Sequence, residues 1–117
     1  MLTEVRRHVM KRKESKRQRS QAVQYLEMLL GRPLTLAGLI KAIREGEEMS
    51  RAEFARQLGV SQSHLTDIEE RRKAVSPERA AKFAKILGYS AEQFVKLALQ
   101  AEVDRAGLKL RVDVRAA

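Results

Sequence analysis

Between Gln62 and Asp67 the chain carries Gln62, Ser63, His64, Thr66 and Asp67, short polar side chains around the apolar anchors Leu65 and Ile68. Gln, Ser and Thr are residue types that hydrogen-bond base edges in a DNA major groove. A helix that buries Leu65 and Ile68 presents the five polar residues outward, as a surface able to read a base sequence. The bland alternative is an ordinary solvated helix face.

Such a face needs elements that hold it. Ser50, followed three residues later by Glu53, is a capping box, each side chain answering an orphan N–H at a helix start. Phe54, Ala55 and Leu58 fall on one side of that helix, and Gly59 supplies a left-handed stop. Two residues later Ser61 can cap the next helix. The stretch Ser50–Glu69 therefore spells helix, tight turn, helix, with the second helix placed to read DNA.

Ala55, Gly59-Val60-Ser61-Gln62, Leu65, Ile68 and Glu69, continued by RRKAVSPERAAKFAKILGYSAEQF, resemble the lambda-repressor-like (Xre/Cro) helix-turn-helix family over roughly residues 35–99. The resemblance implies an all-α, five-helix lambda-repressor-like DNA-binding domain whose reading helix begins at Gln62. On that geometry the amide of Gln62 pairs with the N6/N7 edge of adenine, and Ser63 and Thr66 contact base or phosphate. Asp67 either accepts from cytosine or repels wrong sites, and His64 lies beside them. Arg51 at the start of the preceding helix, and Arg71, Arg72 and Lys73 after the reading helix, are phosphate candidates, which position without specifying. Glu69 braces the following turn. Two residues depart from the family pattern. Arg51 replaces a common Gln and removes an amide buttress to Gln62, and Arg71 replaces a common Gly, so the helix exit lacks glycine's freedom.

A chain of 117 residues suffices for one small core. Without cysteine there is no disulfide or thiolate site, which fits a cytoplasmic location. No apolar run spans a bilayer, and the apolar stretch after the basic N-terminus contains Glu27 and lacks a cleavage motif, so neither a membrane segment nor a secretory leader is expected. The net charge is +9, yet residues 1–20 hold eight Lys/Arg and two Glu, or +6, leaving +3 for the rest. Such a basic excess favours a polyanionic partner and a salt-sensitive affinity. An enzyme is not expected. The two histidines, His8 and His64, have no neighbouring ligand or nucleophile, and no phosphate-binding glycine loop exists, so neither metal nor cofactor is implied.

Residues 1–19 form a basic N-terminal arm without an apolar stripe, either tracking DNA or remaining a solvated tail. The helical domain occupies 20–106. Ser20 caps a short helix with Ala22, Tyr25, Leu26 and Leu29 on one face, ended by Gly31-Arg32-Pro33. Thr35 opens a helix burying Leu36, Leu39, Ile40 and Ile43 and stopping at Gly46, and Ser76-Pro77-Glu78 starts one with the stripe Ala80, Phe83, Ala84 and Leu87. Ser90 and Gln93 make a capping box for a long helix to about Arg105, with Phe94, Leu97, Ala98 and Ala101 inward and Val95, Leu99 and Val103 widening its apolar surface towards a second neighbour. After Gly107, Leu108, Leu110, Val112 and Val114 alternate with Lys109, Arg111 and Asp113, the period of a half-buried strand. A lone strand needs a partner, so residues 107–117 are assigned to dimerisation or partner binding.

The function expected is a sequence-specific double-stranded DNA-binding transcriptional regulator, a homodimeric repressor whose reading helices sit about 34 Å apart. One alternative, from resemblance to the HigA-like antitoxins, is an antitoxin that binds a toxin protein and represses its own operon. Another is an RNA-binding or protein-interaction scaffold using the arm, which three Phe and two Tyr disfavour by offering no stacking platform.

Overall fold

Five serine and threonine hydroxyls set the helix starts. Thr35, Ser50, Ser61, Ser76 and Ser90 each accept the N–H of the residue three positions on, and each sits in extended backbone as an N-cap does. The computed structural model describes residues 34–117. The helices are α1 Leu36–Gly46, α2 Arg51–Leu58, α3 Gln62–Glu69, α4 Pro77–Leu87 and α5 Ala91–Arg105. The arm and the short helix expected after Ser20 lie outside the described residues.

The predicted stripes converge on one core. Ile40, Phe54, Leu65, Ile68, Phe83 and Phe94 are its largest fully buried side chains, joined by Leu36, Leu39, Ala55, Leu58, Ala80, Ala84 and Ala98. Val75, in the loop before α4, is buried as well. The broadest contact is between α4 and α5, α2 packs on α3, and α1 lies across α3 and α5. The helix-turn-helix α2–α3 is thus backed by α1 on one side and the α4–α5 pair on the other.

Three local expectations are corrected. Gly46 does not stop α1. It is the last helical residue, Glu47 is the C-cap, and Glu48 takes the left-handed conformation at φ 57°. The Ser90–Gln93 box is half formed: the Ser90 hydroxyl accepts the Gln93 N–H at 3.3 Å, while the Gln93 Oε1 is buried without a hydrogen-bond partner. The C-terminal strand is absent: residues 108–117 contain no strand, and no strand exists among the described residues to complete a ladder. Instead the Gln100 side chain on α5 engages this segment, with Nε2 donating to the Leu110 carbonyl and Oε1 accepting from the Val112 N–H, both at 2.8 Å. The alternation does not report burial here, since Leu108 and Leu110 are exposed, and a helix side chain makes backbone contacts that a neighbouring strand would have made.

An open cleft of about 480 Å³ lies between α5 and this tail, lined by Leu34, Gln93, Leu97, Gln100, Leu108 and Leu110 among others.

Candidate nucleic-acid interface

The turn that aims α3 depends on Gly59. With φ 76° it ends α2 in the left-handed region, and its N–H bonds the Arg56 carbonyl while the Val60 N–H reaches Ala55. A side chain there would be strained whatever the surrounding space. Ser61 follows, caps the N–H of His64 at 3.1 Å and lies 3.3 Å from the Ser63 hydroxyl. Burial of Leu65 and Ile68 then fixes which side of α3 faces out.

The inner end of α3 is fastened by a carboxylate. Glu69 has a fully buried side chain and receives Arg44 in bidentate fashion, Nε on Oε2 at 2.8 Å and Nη2 on Oε1 at 3.1 Å. Arg51 adds its Nε to Oε1 at 3.2 Å and reaches Glu70 at 3.5 Å. Arg44 also donates to the Met49 carbonyl at 3.2 Å, so one guanidinium ties α1 to the entrance of α2. The hydrogen bond Arg44 donates to Glu69 raises the Arg44 pKa above its ordinary value, against the opposing effect of burial, and the negative charge of Glu69 reinforces the rise. These contacts lock α1, α2 and α3 at a fixed mutual angle. Paired, charge-assisted geometry of this kind is what makes a buried carboxylate tolerable. Glu69 therefore braces the two preceding helices, and Arg51, expected on phosphate, sits half-exposed on this brace.

On the outer side Gln62 and Ser63 are exposed and Thr66 is half-buried. The Thr66 hydroxyl donates to the Gln62 carbonyl at 3.0 Å, which spends its proton within the helix. Asp67 accepts from the Nε of Arg72 at 2.9 Å, and its carbonyl also receives the N–H groups of Arg72 and Lys73. The helix exit is thereby closed around Arg71, which adopts φ 62° where glycine would be unstrained. The Arg71 guanidinium turns towards α1 and donates to the Thr35 hydroxyl at 3.2 Å.

His64 lies among the charged groups of the face. The Arg79 Nη1, from the first turn of α4, lies 3.1 Å from its Nδ1 and 3.0 Å from its Nε2. Desolvation holds the imidazole below its ordinary pKa, the charges of Arg79 and Lys73 push the same way, and Asp67 partly opposes them. A neutral ring keeps a lone pair for Arg79; a protonated one sets two cations together.

The structure thus brings Gln62, Ser63, His64, Thr66 and Asp67 onto one helix, with Arg72 and Lys73 at its end, and places Arg51 and Arg71 on supporting contacts to either side. Sequence reasoning missed Arg44 and Arg79. Arg44 follows the apolar Ile43 and reads as a surface cation, and Arg79 meets His64 only through the packing of α4 beside the helix-turn-helix; no local pattern signals either.

Among the described residues no helix is long and apolar enough to cross a membrane. Comparison with known proteins gave a match of residues 40–94 to the family model described as Helix-turn-helix, the lambda-repressor/Xre type. No curated protein and no solved structure gave a significant match. The matched stretch runs from the second half of α1 to the start of α5 and encloses α2, the turn at Gly59, α3 and the Arg44–Glu69 brace. The chain carries, in residues 40–94, a helix-turn-helix DNA-binding domain of the lambda-repressor-like (Xre/Cro) family of transcription regulators.

Proposed function

We propose that the protein is a dimeric, sequence-specific transcriptional repressor that reads double-stranded DNA with α3. The observation that carries this reading is the division of labour on α3. One side is immobilised by Leu65, Ile68 and the buried Glu69 brace, and the other carries the exposed Gln62 and Ser63 and the half-buried Thr66. A rigid scaffold beneath exposed polar side chains lets a base contact discriminate, because the backbone is already ordered and binding orders only the side chains.

Gln62, with no hydrogen bond holding its amide among the described contacts, is the principal base reader, choosing adenine through paired donor and acceptor. With its hydroxyl proton spent on the helix, Thr66 keeps its methyl for a thymine methyl. Arg72 and Lys73 meet phosphate at one end of α3 and Arg79 at its flank. The three phenylalanines are all in the core, at 0–1 % exposure, which removes them as a stacking platform and disfavours the single-strand RNA alternative.

Selection of duplexes from a random pool by the full chain tests this. The expected product is a twofold-symmetric site with half-site centres about 34 Å apart along the helix axis. Recovery of duplexes without a shared motif would overturn the reading.

A further inference from the structure

Behind α3, on the side of Ile68, a pocket of about 330 Å³ opens between the start of α1, the turn after α3 and the C-terminal half of α5. Its floor is apolar: Leu36, Ile68, Val75 and Ala98 are buried there and Ala37 is half-buried. Its rim is cationic. Arg71 and Lys73 come from the turn after α3 and Arg105 from the last turn of α5, and all three are exposed. Among the described residues no carboxylate pairs with any of them. Asp104 is the single acid on the lining, and its Oδ1 already accepts from Gln100 at 2.9 Å. The start of α1 adds the positive end of its dipole, with no acid in its first turn to offset it.

We propose that this pocket binds a small carboxylate with a compact apolar body, and that its occupancy weakens DNA binding. The floor favours an apolar body, because filling it removes apolar surface from water. The rim favours a planar anion that two guanidinium forks can grip. Arg71 now donates to the Thr35 hydroxyl at 3.2 Å, an oxygen that also caps the Gly38 N–H at 3.1 Å. A carboxylate is a stronger acceptor than that shared neutral hydroxyl, so a ligand draws Arg71 to itself. Lys73, on the same rim, follows the negative charge. The regulatory half rests on the DNA reading above, which gives Lys73 a phosphate; binding of the carboxylate does not. Sequence preference stays with Gln62, away from the pocket, so the ligand lowers affinity without changing which site is read.

Octanoate is the probe, with octanol supplying the body alone and inorganic phosphate the charge alone. Calorimetry on the DNA-free, full-length protein should show one octanoate per chain, with octanol and phosphate each at least about tenfold weaker. Arg105→Gln, an exposed change that leaves the core untouched, and Ala37→Leu, which fills the floor, should each weaken octanoate about tenfold. Saturating octanoate should lower affinity for a selected duplex about fivefold and reduce the salt slope by about one, and the duplex should weaken octanoate by the same factor. Arg105→Gln should hold the duplex as wild type does yet lose this response. Octanoate binding that is unchanged in both variants would place the ligand elsewhere, and phosphate binding as tightly as octanoate would make the pocket a seat for DNA phosphate; either overturns the proposal. Octanoate that binds without altering duplex affinity overturns the regulatory half. Because octanoate binding is measured without DNA, failed DNA selection leaves the site standing, and failed octanoate binding leaves the DNA reading untouched.

Discussion

Glu69 carries the most structural consequence of any single residue in the interface. Its carboxylate is fully buried against Arg44, whose side chain is 13 % exposed, and Arg51, at 31 %. Removing it strands two cations that the fold has partly withdrawn from water. Glu69→Ala should cost about 3 kcal/mol, the lower part of the range for breaking a buried pair, because both arginines retain some solvent. Urea unfolding at neutral pH measures it, and a loss under about 1 kcal/mol would mean the brace is dispensable. His64 gives a pH signature of opposite origin. Its folded pKa lies below the ordinary 6.5, so as pH falls below about 6.5 the unfolded chain binds the proton first and stability declines. Below the folded pKa the decline levels off. His64→Asn should remove that step from a plot of stability against pH, and persistence of the step would assign it to another group. The polar types on α3 were legible in the sequence because composition alone displays them. The partners Arg44 and Arg79 were not, since each contact joins helices that only tertiary packing brings together.

At the scale of elements, the helix starts were fully legible. A cap is a contact between residues three apart, and local chemistry decides it at Thr35, Ser50, Ser61, Ser76 and Ser90. Helix exits were less so. Gly59 and Gly88 stop their helices in the left-handed region, yet α1 runs through Gly46 and leaves that conformation to Glu48. At Arg71, where the lack of glycine's freedom led to the expectation of a different turn, the left-handed conformation is kept at φ 62°, held by three backbone hydrogen bonds around the turn. An L-residue there carries about 1–2 kcal/mol of steric cost, so Arg71→Gly should stabilise the fold by about 1 kcal/mol once the greater freedom of the unfolded glycine is subtracted. Thermal unfolding checks this, and an unchanged or lower Tm would show that the Arg71–Thr35 contact outweighs the strain. The tail was misread as a strand because alternation marks an apolar side and says nothing of hydrogen-bond partners: Leu108 and Leu110 stay exposed, and the backbone bonds at Leu110 and Val112 go to the Gln100 side chain.

For the whole molecule, charge and rigidity have separate roles. Of the +9 net charge, residues 1–20 contribute +6 and the rest of the sequence +3, so on the proposed reading bulk attraction and base reading are separable by salt. The helices after Thr35 and the core they share were readable from periodicity; the contacts of Arg44 with Glu69 and of Arg79 with His64 depend on how those helices pack. The most direct test of the account is a salt series of binding by the full chain, wild type and Gln62→Ala, to a selected duplex and to its scrambled counterpart. The account predicts that wild type prefers the selected duplex at every salt concentration, and that Gln62→Ala loses about ten- to a hundredfold of that preference while both proteins keep the same salt slope. Equal affinity for the two duplexes, fading with salt and indifferent to Gln62, would contradict it and leave the protein a non-specific polyanion binder.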